Sequence, residues 1–235
     1  MFSTYTAIPN SRGNLHVQVA RNISRSILSG EIPPGTKIPN EQSLCKQFAI
    51  SRTALREALK LIISKGLLLS KSKVGTTVTE QNNWNYFDPQ LLQWMDGLED
   101  SNSFNQQFLG LRKAIEPEAC ALAAVNASAK QRIELSNTFQ KMDEIAKSFN
   151  QESWTEVDMY FHRLIFLSTG NDFYLPFGNV LATIFKSFIH HSSKDGGVCI
   201  EEHSAIYAAI MVGNPEQARE ASRYLLTAEK HSLPC

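Results

Sequence analysis

No stretch of this chain approaches the ~20 consecutive apolar residues that a bilayer span requires. The opening MFSTYTAIPNSRG also lacks the basic start and apolar stretch of an export signal. The chain is therefore expected in the cytoplasm, with no membrane partner. Cysteine is scarce as well. Cys45, Cys120, Cys199 and Cys235 are the only four, and no two stand as a C-x-x-C pair. That spacing excludes a disulfide framework and a cysteine-based zinc knuckle, and it suits a reducing compartment. Net charge is absent too, with 23 Lys and Arg against 23 Asp and Glu. The balance hides a split: 11 basic against 4 acidic residues up to Glu80, then 12 against 19. A basic front half suits a polyanion, and an acidic rear half has other work.

With 235 residues, the chain has length for two modest domains. Apolar residues recur at helical spacing from Leu15 to Leu28, until Ser29-Gly30 stops them. The proline-punctuated turn IPPGTKIPN follows, and Asn40 then caps a second helix through Phe48. Ile50-Ser51 supplies a break and a cap for a third helix, Arg52 to Ser64. That helix gathers Leu55, Ala58, Leu59 and Ile62 on one stripe and Arg52, Arg56 and Lys60 on the other side. After Gly66, LLLSKSKVGTTVTE reads as a short hairpin with a Lys/Ser/Gly tip. Three helices and a hairpin make a winged helix-turn-helix, expected over residues 1–80.

Residues 81–103, with Leu91, Leu92 and Trp94 grouped together, read as a linker carrying a short packed helix. Beyond them only helical patterns appear, over about 105–125, 129–149, 153–168, 173–190, 200–212 and 215–230. The expected fold class is mainly α: a winged helix-turn-helix followed by an all-helical bundle over residues 104–235.

In the front domain a tight turn lets the second helix of the pair enter a major groove while the first braces it. Arg52 and Arg56, four apart near a helix start, can reach guanine edges or phosphates. Ser51 and Thr53 add hydroxyls, and the free helix-start N–H groups favour a phosphate. Lys71 and Lys73 in the hairpin can reach the DNA backbone. The bland alternative is a solvated helix face; turn, hairpin and basic charge together weigh against it. In the rear domain, Asp158 and His162 in DMYFH share one helix face.

The combination of PPGTKIPNE, SRTALREAL and a wing ending in VGTTV resembles the DNA-binding domain of GntR-type bacterial regulators. This resemblance implies double-stranded operator DNA as partner, with contacts from Ser51, Arg52, Thr53, Arg56 and the wing glycine Gly75, beside the Lys73 contact expected from the hairpin. Many members carry arginine where this chain has Gln42, a DNA-facing position whose change weakens phosphate attraction or alters the base read. The segments LRKAIEPEACALAA, DMYFHRLIFLSTGN and EEHSAIYAAIMVGNPEQA are similar to the FCD effector domain of the FadR-like branch.

That likeness implies a homodimeric, ligand-responsive repressor. It also implies a divalent metal (Zn, Ni or Mn) held by an aspartate and histidines, which fall here on Asp158, His162 and His203. A further histidine would fall at position 225, which is leucine. His231 does not replace it, since six residues along a helix mean ~9 Å of rise and a ~120° rotation. His190 and His191 remain candidates for ligand contact. Arg112 falls where the family sets an arginine against an effector carboxylate; Asp158, His162 and His203 complete the effector set. Arg112 can alternatively pair with Glu116 or Glu118, and the Asp/His cluster can bond an effector without metal.

WNYFDPQLLQWM together with RKAIEPEA is similar to members that govern sugar-acid catabolic operons, which implies an aldonate such as D-galactonate. Two other readings stay open: a metal-dependent hydrolase or lyase on Asp158, His162 and His203, and a constitutive DNA-binding protein without effector.

Overall fold

The computed structural model describes residues 15–98, 101–192 and 199–227. For residues 101, 102, 105, 182 and 185–192 only the backbone is described, so the side chains of His190 and His191 lie outside it, as does His231. The chain divides into two compact units, residues 1–100 and 101–235.

The first unit holds α1 (Leu15–Leu28), α2 (Glu41–Phe48), α3 (Arg52–Ser64), β1 (Leu68–Lys71), β2 (Gly75–Val78) and α4 (Pro89–Met95). The starts of α2, α3 and α4 each have a local cause. The Asn40 side chain accepts from Ser43 N–H, Ser51 from Ala54 N–H and Asp88 from Leu91 N–H, each satisfying a donor that the first turn leaves orphaned. The stripe of Val19, Ala20, Ile23 and Ile27 on α1 packs on Leu55, Ala58 and Ile62 of α3, with Leu44 and Phe48 of α2 closing the core.

The wing is an antiparallel pair in register Leu68↔Val78 to Lys71↔Gly75. The PPGTKI turn adds a third rung: Gly35 and Ile38 donate to Val78 and Thr76, and Val78 donates back to Thr36. Gly66, between α3 and β1, is forced. Its φ is +78°, and a Cβ there would stand 1.9 Å from the Asn83 carbonyl oxygen.

The segment read as a linker contributes Trp84, Leu91 and Trp94 to the core of this first unit. Lys65 is the fastener. Its Nζ lies 2.8 Å from Asp88 Oδ1 and 5.1 Å from the Trp94 ring centre, with its side chain 3% exposed. A buried ammonium persists only where it is paired, so the end of α3 is tied to the start of α4.

The second unit is all-helical: α5 (Ser101–Asn126), α6 (Ala129–Lys147), α7 (Gln151–Leu167), α8 (Leu175–Ser192), α9 (Ile200–Val212) and α10 (Pro215–Thr227). α5 packs on α7, α9 and α10, while α7 also packs on α6 and α8. A Ser128/Gln131 capping box starts α6. Arg132 donates to carbonyls at the C-terminal ends of α5 and α9, among them Ala124 and Ile210, binding the two ends together. Among the described residues no helix is long and apolar enough to cross a membrane.

Asp88→Ala strips α4 of its cap and strands the Lys65 ammonium. We expect the first unit to lose about 3 kcal/mol, read as a lower urea midpoint. The pH dependence has a fixed sign. Burial raises the Asp88 carboxyl, but Lys65 and the Leu91 N–H hold it below its ordinary 3.8. The stability it supplies is complete above that value and is lost as pH falls through the depressed folded pKa; the variant lacks this component of acid sensitivity.

Candidate functional site

In the first unit the residues expected to meet DNA are displayed on one helix start, one neighbouring helix and the wing. Ser51 is the N-cap of α3, and Arg52, Thr53 and Arg56 follow on its N-terminal half, all exposed. Gln42 is exposed in the first turn of α2. Arg56 Nε approaches Glu41 Oε2 at 3.1 Å, so in the free protein the α2 start and α3 are bridged by an exposed ion pair. Such a pair has little net worth in water and is readily exchanged. Lys73 forms the wing tip in the left-handed region, φ +63°, and Gly75 follows at φ +109°, a conformation that favours glycine.

In the second unit three helices each bring polar groups inward. α7 contributes Asp158 and His162 from one face, α5 contributes Arg112 and Glu116 four apart, and α9 contributes His203 near its start. All five are buried, Arg112 completely. Trp154 and Phe161 stand edge-on to the His203 ring, and Phe161 also to that of His162, walling the imidazoles with apolar surface.

The pairings are specific. Arg112 donates from Nε to Glu116 Oε1 and from Nη2 to Glu116 Oε2 at 3.2 Å. Glu116 Oε2 also lies 3.0 Å from His162 Nδ1. Of the alternatives the sequence left for Arg112, this free structure displays the pairing with Glu116; Glu118 instead accepts from Arg219. Burial raises the Glu116 carboxyl, but the Arg112 guanidinium and His162 outweigh it and bring it down to about 2. Burial likewise works against ionisation of Asp158, and His203, His162 and Arg112 overcome it.

These contacts also fix the tautomers. His203 Nδ1 lies 2.7 Å from the Cys199 carbonyl oxygen, which can only accept, so Nδ1 carries the proton. In the neutral ring, Nε2 then offers a lone pair. It faces Asp158 Oδ1 at 2.8 Å, yet neither atom finds a properly directed hydrogen bond. His162 repeats the arrangement. Its Nδ1 faces the Glu116 carboxylate, and its Nε2 looks toward Asp158 Oδ1 at 3.7 Å.

Three acceptor atoms thus converge, all within 4.8 Å of one another. Ligands held ~2.1 Å from one ion stand about 3–4 Å apart; the separations of 2.8 and 3.7 Å from Asp158 Oδ1 lie near that range, and one carboxylate with two imidazoles is a donor set that could hold a borderline divalent cation. The partners behind the rings, a carboxylate and a backbone carbonyl, are those that orient metal-binding histidines. Leu225 is fully buried on α10 and offers no ligand atom.

The residues expected from the sequence, Asp158, His162, His203 and Arg112, are thus brought together, whereas the sequence gives Glu116 only the part of a partner for Arg112. Its spacing from Arg112 signals that ion pair. Its contact with His162 joins two helices and has no signature in the chain.

Comparison with known proteins follows the same division. Residues 15–78 match the family "Bacterial regulatory proteins, gntR family", and residues 107–228 match the FCD domain. The uncharacterized HTH-type transcriptional regulator YieP of Escherichia coli (strain K12) is 35% identical over 213 residues, 91% of this chain and 93% of that protein. The galactonate operon transcriptional repressor of the same organism is 24% identical over 224 residues, 92% and 95% of the two chains. The chain therefore stands nearer to YieP than to the galactonate repressor. Among solved structures, that of Lar, which controls expression of the Listeria monocytogenes agr system, superposes with a TM-score of 0.62 at 17% identity, over 92% of this chain and 95% of that one, a likeness of fold.

Removing one partner from the buried pair leaves the other as an uncompensated charge. Arg112→Met should cost about 3–5 kcal/mol. Replacing Arg112 and Glu116 together by methionine should recover most of that loss, as shown by comparing urea midpoints of the two variants.

Proposed function

Since the chain belongs to the GntR family of bacterial transcriptional regulators and carries their FCD domain, we propose that it is a dimeric repressor of a sugar-acid catabolic operon, released from its operator by an aldonate such as D-galactonate. Family membership sets aside the hydrolase or lyase reading of the Asp/His cluster: the protein is a ligand-responsive regulator and not an enzyme.

One observation carries the proposal. A guanidinium, two carboxylates and two imidazoles meet in the interior of the helical unit, out of water, and a buried cluster of that kind is a functional-site candidate. An aldonate pairs one carboxylate with many hydroxyls. The fork of Arg112 suits the carboxylate, and Asp158, His162 and His203 suit the hydroxyls. The relative that governs a galactonate operon supports the choice of acid.

Charge supports a metal in the same reading. With neutral imidazoles, Arg112, Glu116 and Asp158 sum to one negative charge, which repels an incoming carboxylate. Zn, Ni or Mn held by Asp158, His162 and His203 would supply two positive charges and a Lewis-acidic contact for the effector's oxygens. The site then carries one positive charge, which a monocarboxylate neutralises.

On DNA, Ser51, Arg52, Thr53, Arg56, Gln42, Lys73 and Gly75 form the reading surface. Each head spans a half-site, and a second copy reads the other. For induction the effector must favour the arrangement that fits DNA poorly.

The test titrates purified protein onto the DNA upstream of its own coding region, with and without D-galactonate and related aldonates. Release by an aldonate is expected, and failure of all of them overturns the sensing reading. Arg56→Ala should weaken operator binding and lower the slope of log K against log salt by about one, the loss of one phosphate contact. Chelator should lower the melting temperature of the wild type and leave His203→Ala unchanged, because native-state binding stabilises by mass action.

A further inference from the structure

The Nε/Nη2 edge of Arg112, the edge a ligand carboxylate would grip with two parallel bonds, is already gripped by one. Glu116 supplies it from one turn along the same helix. The grip is uneven, however. Glu116 Oε2 is shared between Arg112 Nη2 at 3.2 Å and His162 Nδ1 at 3.0 Å, and 3.2 Å is long for a charge-assisted bond. The carboxylate sits between two donors on different helices and can leave one while keeping the other.

We propose that Glu116 is a tethered competitor for the effector: its carboxylate stands in the Arg112 fork of the free protein, and an incoming carboxylate binds by taking that place while Glu116 retires to His162. The inference rests on the sensing reading given above and adds the residue that sets its threshold. Three features carry it.

First, the chemistry is like for like. A carboxylate replaces a carboxylate, so the guanidinium keeps its charge partner throughout and is never stranded in the interior. Second, the displaced group has a destination. His162 Nδ1 already holds Glu116 Oε2, and a carboxylate with two oxygens and about four acceptor sites can turn about that bond without losing it. Third, exchange explains how a fully buried arginine can be a binding group. Its affinity for ligand is the intrinsic affinity multiplied by the small fraction of time the fork is vacated, so apparent binding is weakened by the population of the closed pair.

A purely structural Glu116 predicts something else. It would keep α5 and α7 together, and removing its charge would loosen the unit and weaken every ligand alike. The two roles therefore separate on ligand charge.

The experiment compares the full-length wild type with Glu116→Gln, which preserves size and one acceptor but removes the competing charge. The probes are D-galactonate, acetate and the uncharged isostere acetamide at matched ionic strength, followed by calorimetry and thermal shift, with far-UV circular dichroism to verify folding. Glu116→Gln should bind acetate and D-galactonate about tenfold tighter than wild type, ~1.4 kcal/mol, with acetamide unchanged. Equal or weaker carboxylate binding by the folded variant overturns the proposal.

If the variant does not fold, a crystal structure of the wild type with D-galactonate decides. Ligand oxygens on Arg112 Nε and Nη2, with Glu116 turned to His162 alone, support the exchange. Ligand bound while the Arg112–Glu116 pair persists overturns it and leaves the sensing reading standing. No carboxylate-specific binding by either protein overturns both.

Discussion

The second unit depends on one buried carboxylate. Taking an ion out of water costs several kcal/mol even after relaxation, and Glu116 offsets that cost by accepting from a guanidinium on its own helix and an imidazole on the next. The same bonds have consequences beyond stability. Because the Glu116 oxygen fixes a proton on His162 Nδ1, the neutral ring presents the lone pair of its other nitrogen to the interior. The Cys199 carbonyl does the same for His203. With the rings neutral, Asp158 faces two acceptor nitrogens, a donor set open to a cation or a polar guest. The chemistry of the site is set one layer behind the residues that would touch a ligand.

The first unit is governed by a different economy. Its groups proposed to meet DNA are exposed, and the structure supplies only their placement. Three caps, Asn40, Ser51 and Asp88, decide where helices begin, and Ser51 thereby sets which residues stand at the free N–H groups of α3. Lys65 then fastens α4 to α3 with a charge that could not be buried without Asp88. A carboxylate thus joins elements in both units: Asp88 ties α4 to the end of α3, and Glu116 ties α5 to α7 through His162.

Much of this was legible beforehand because it is local. The bounds of α1, α2, α3 and α9 follow from apolar spacing and from Asn40, Ser51 and Gly213, whose effects act within a turn of the chain. The pair Asp158 and His162 was legible for the same reason. What escaped is non-local. Nothing in QNNWNYF announces that Trp84 belongs to the core of the first unit, because its partners arrive from elsewhere in the chain. The 310 turn at Asp172–Tyr174 delays the start of α8 to Leu175, two residues beyond the apolar pattern. Glu116 is the most instructive case, since its spacing discloses Arg112 and conceals His162.

The placement of Arg112 and Glu116 on α5 bears on how recognition becomes output. α5 is the first element of the second unit and begins at Ser101, a few residues along the chain from the turn of the first unit that reaches Leu98. Of the helices that line the site, it is the one joined to the DNA-reading unit by so short a connection. An interaction that changes the partners of α5 therefore acts on the element nearest in chain to that unit. Coupling requires that ligand and operator favour different arrangements of the same element. The proposed exchange at Arg112 changes a bond within α5 and keeps the Glu116–His162 link from α5 to α7, so any coupling would start on α5 itself.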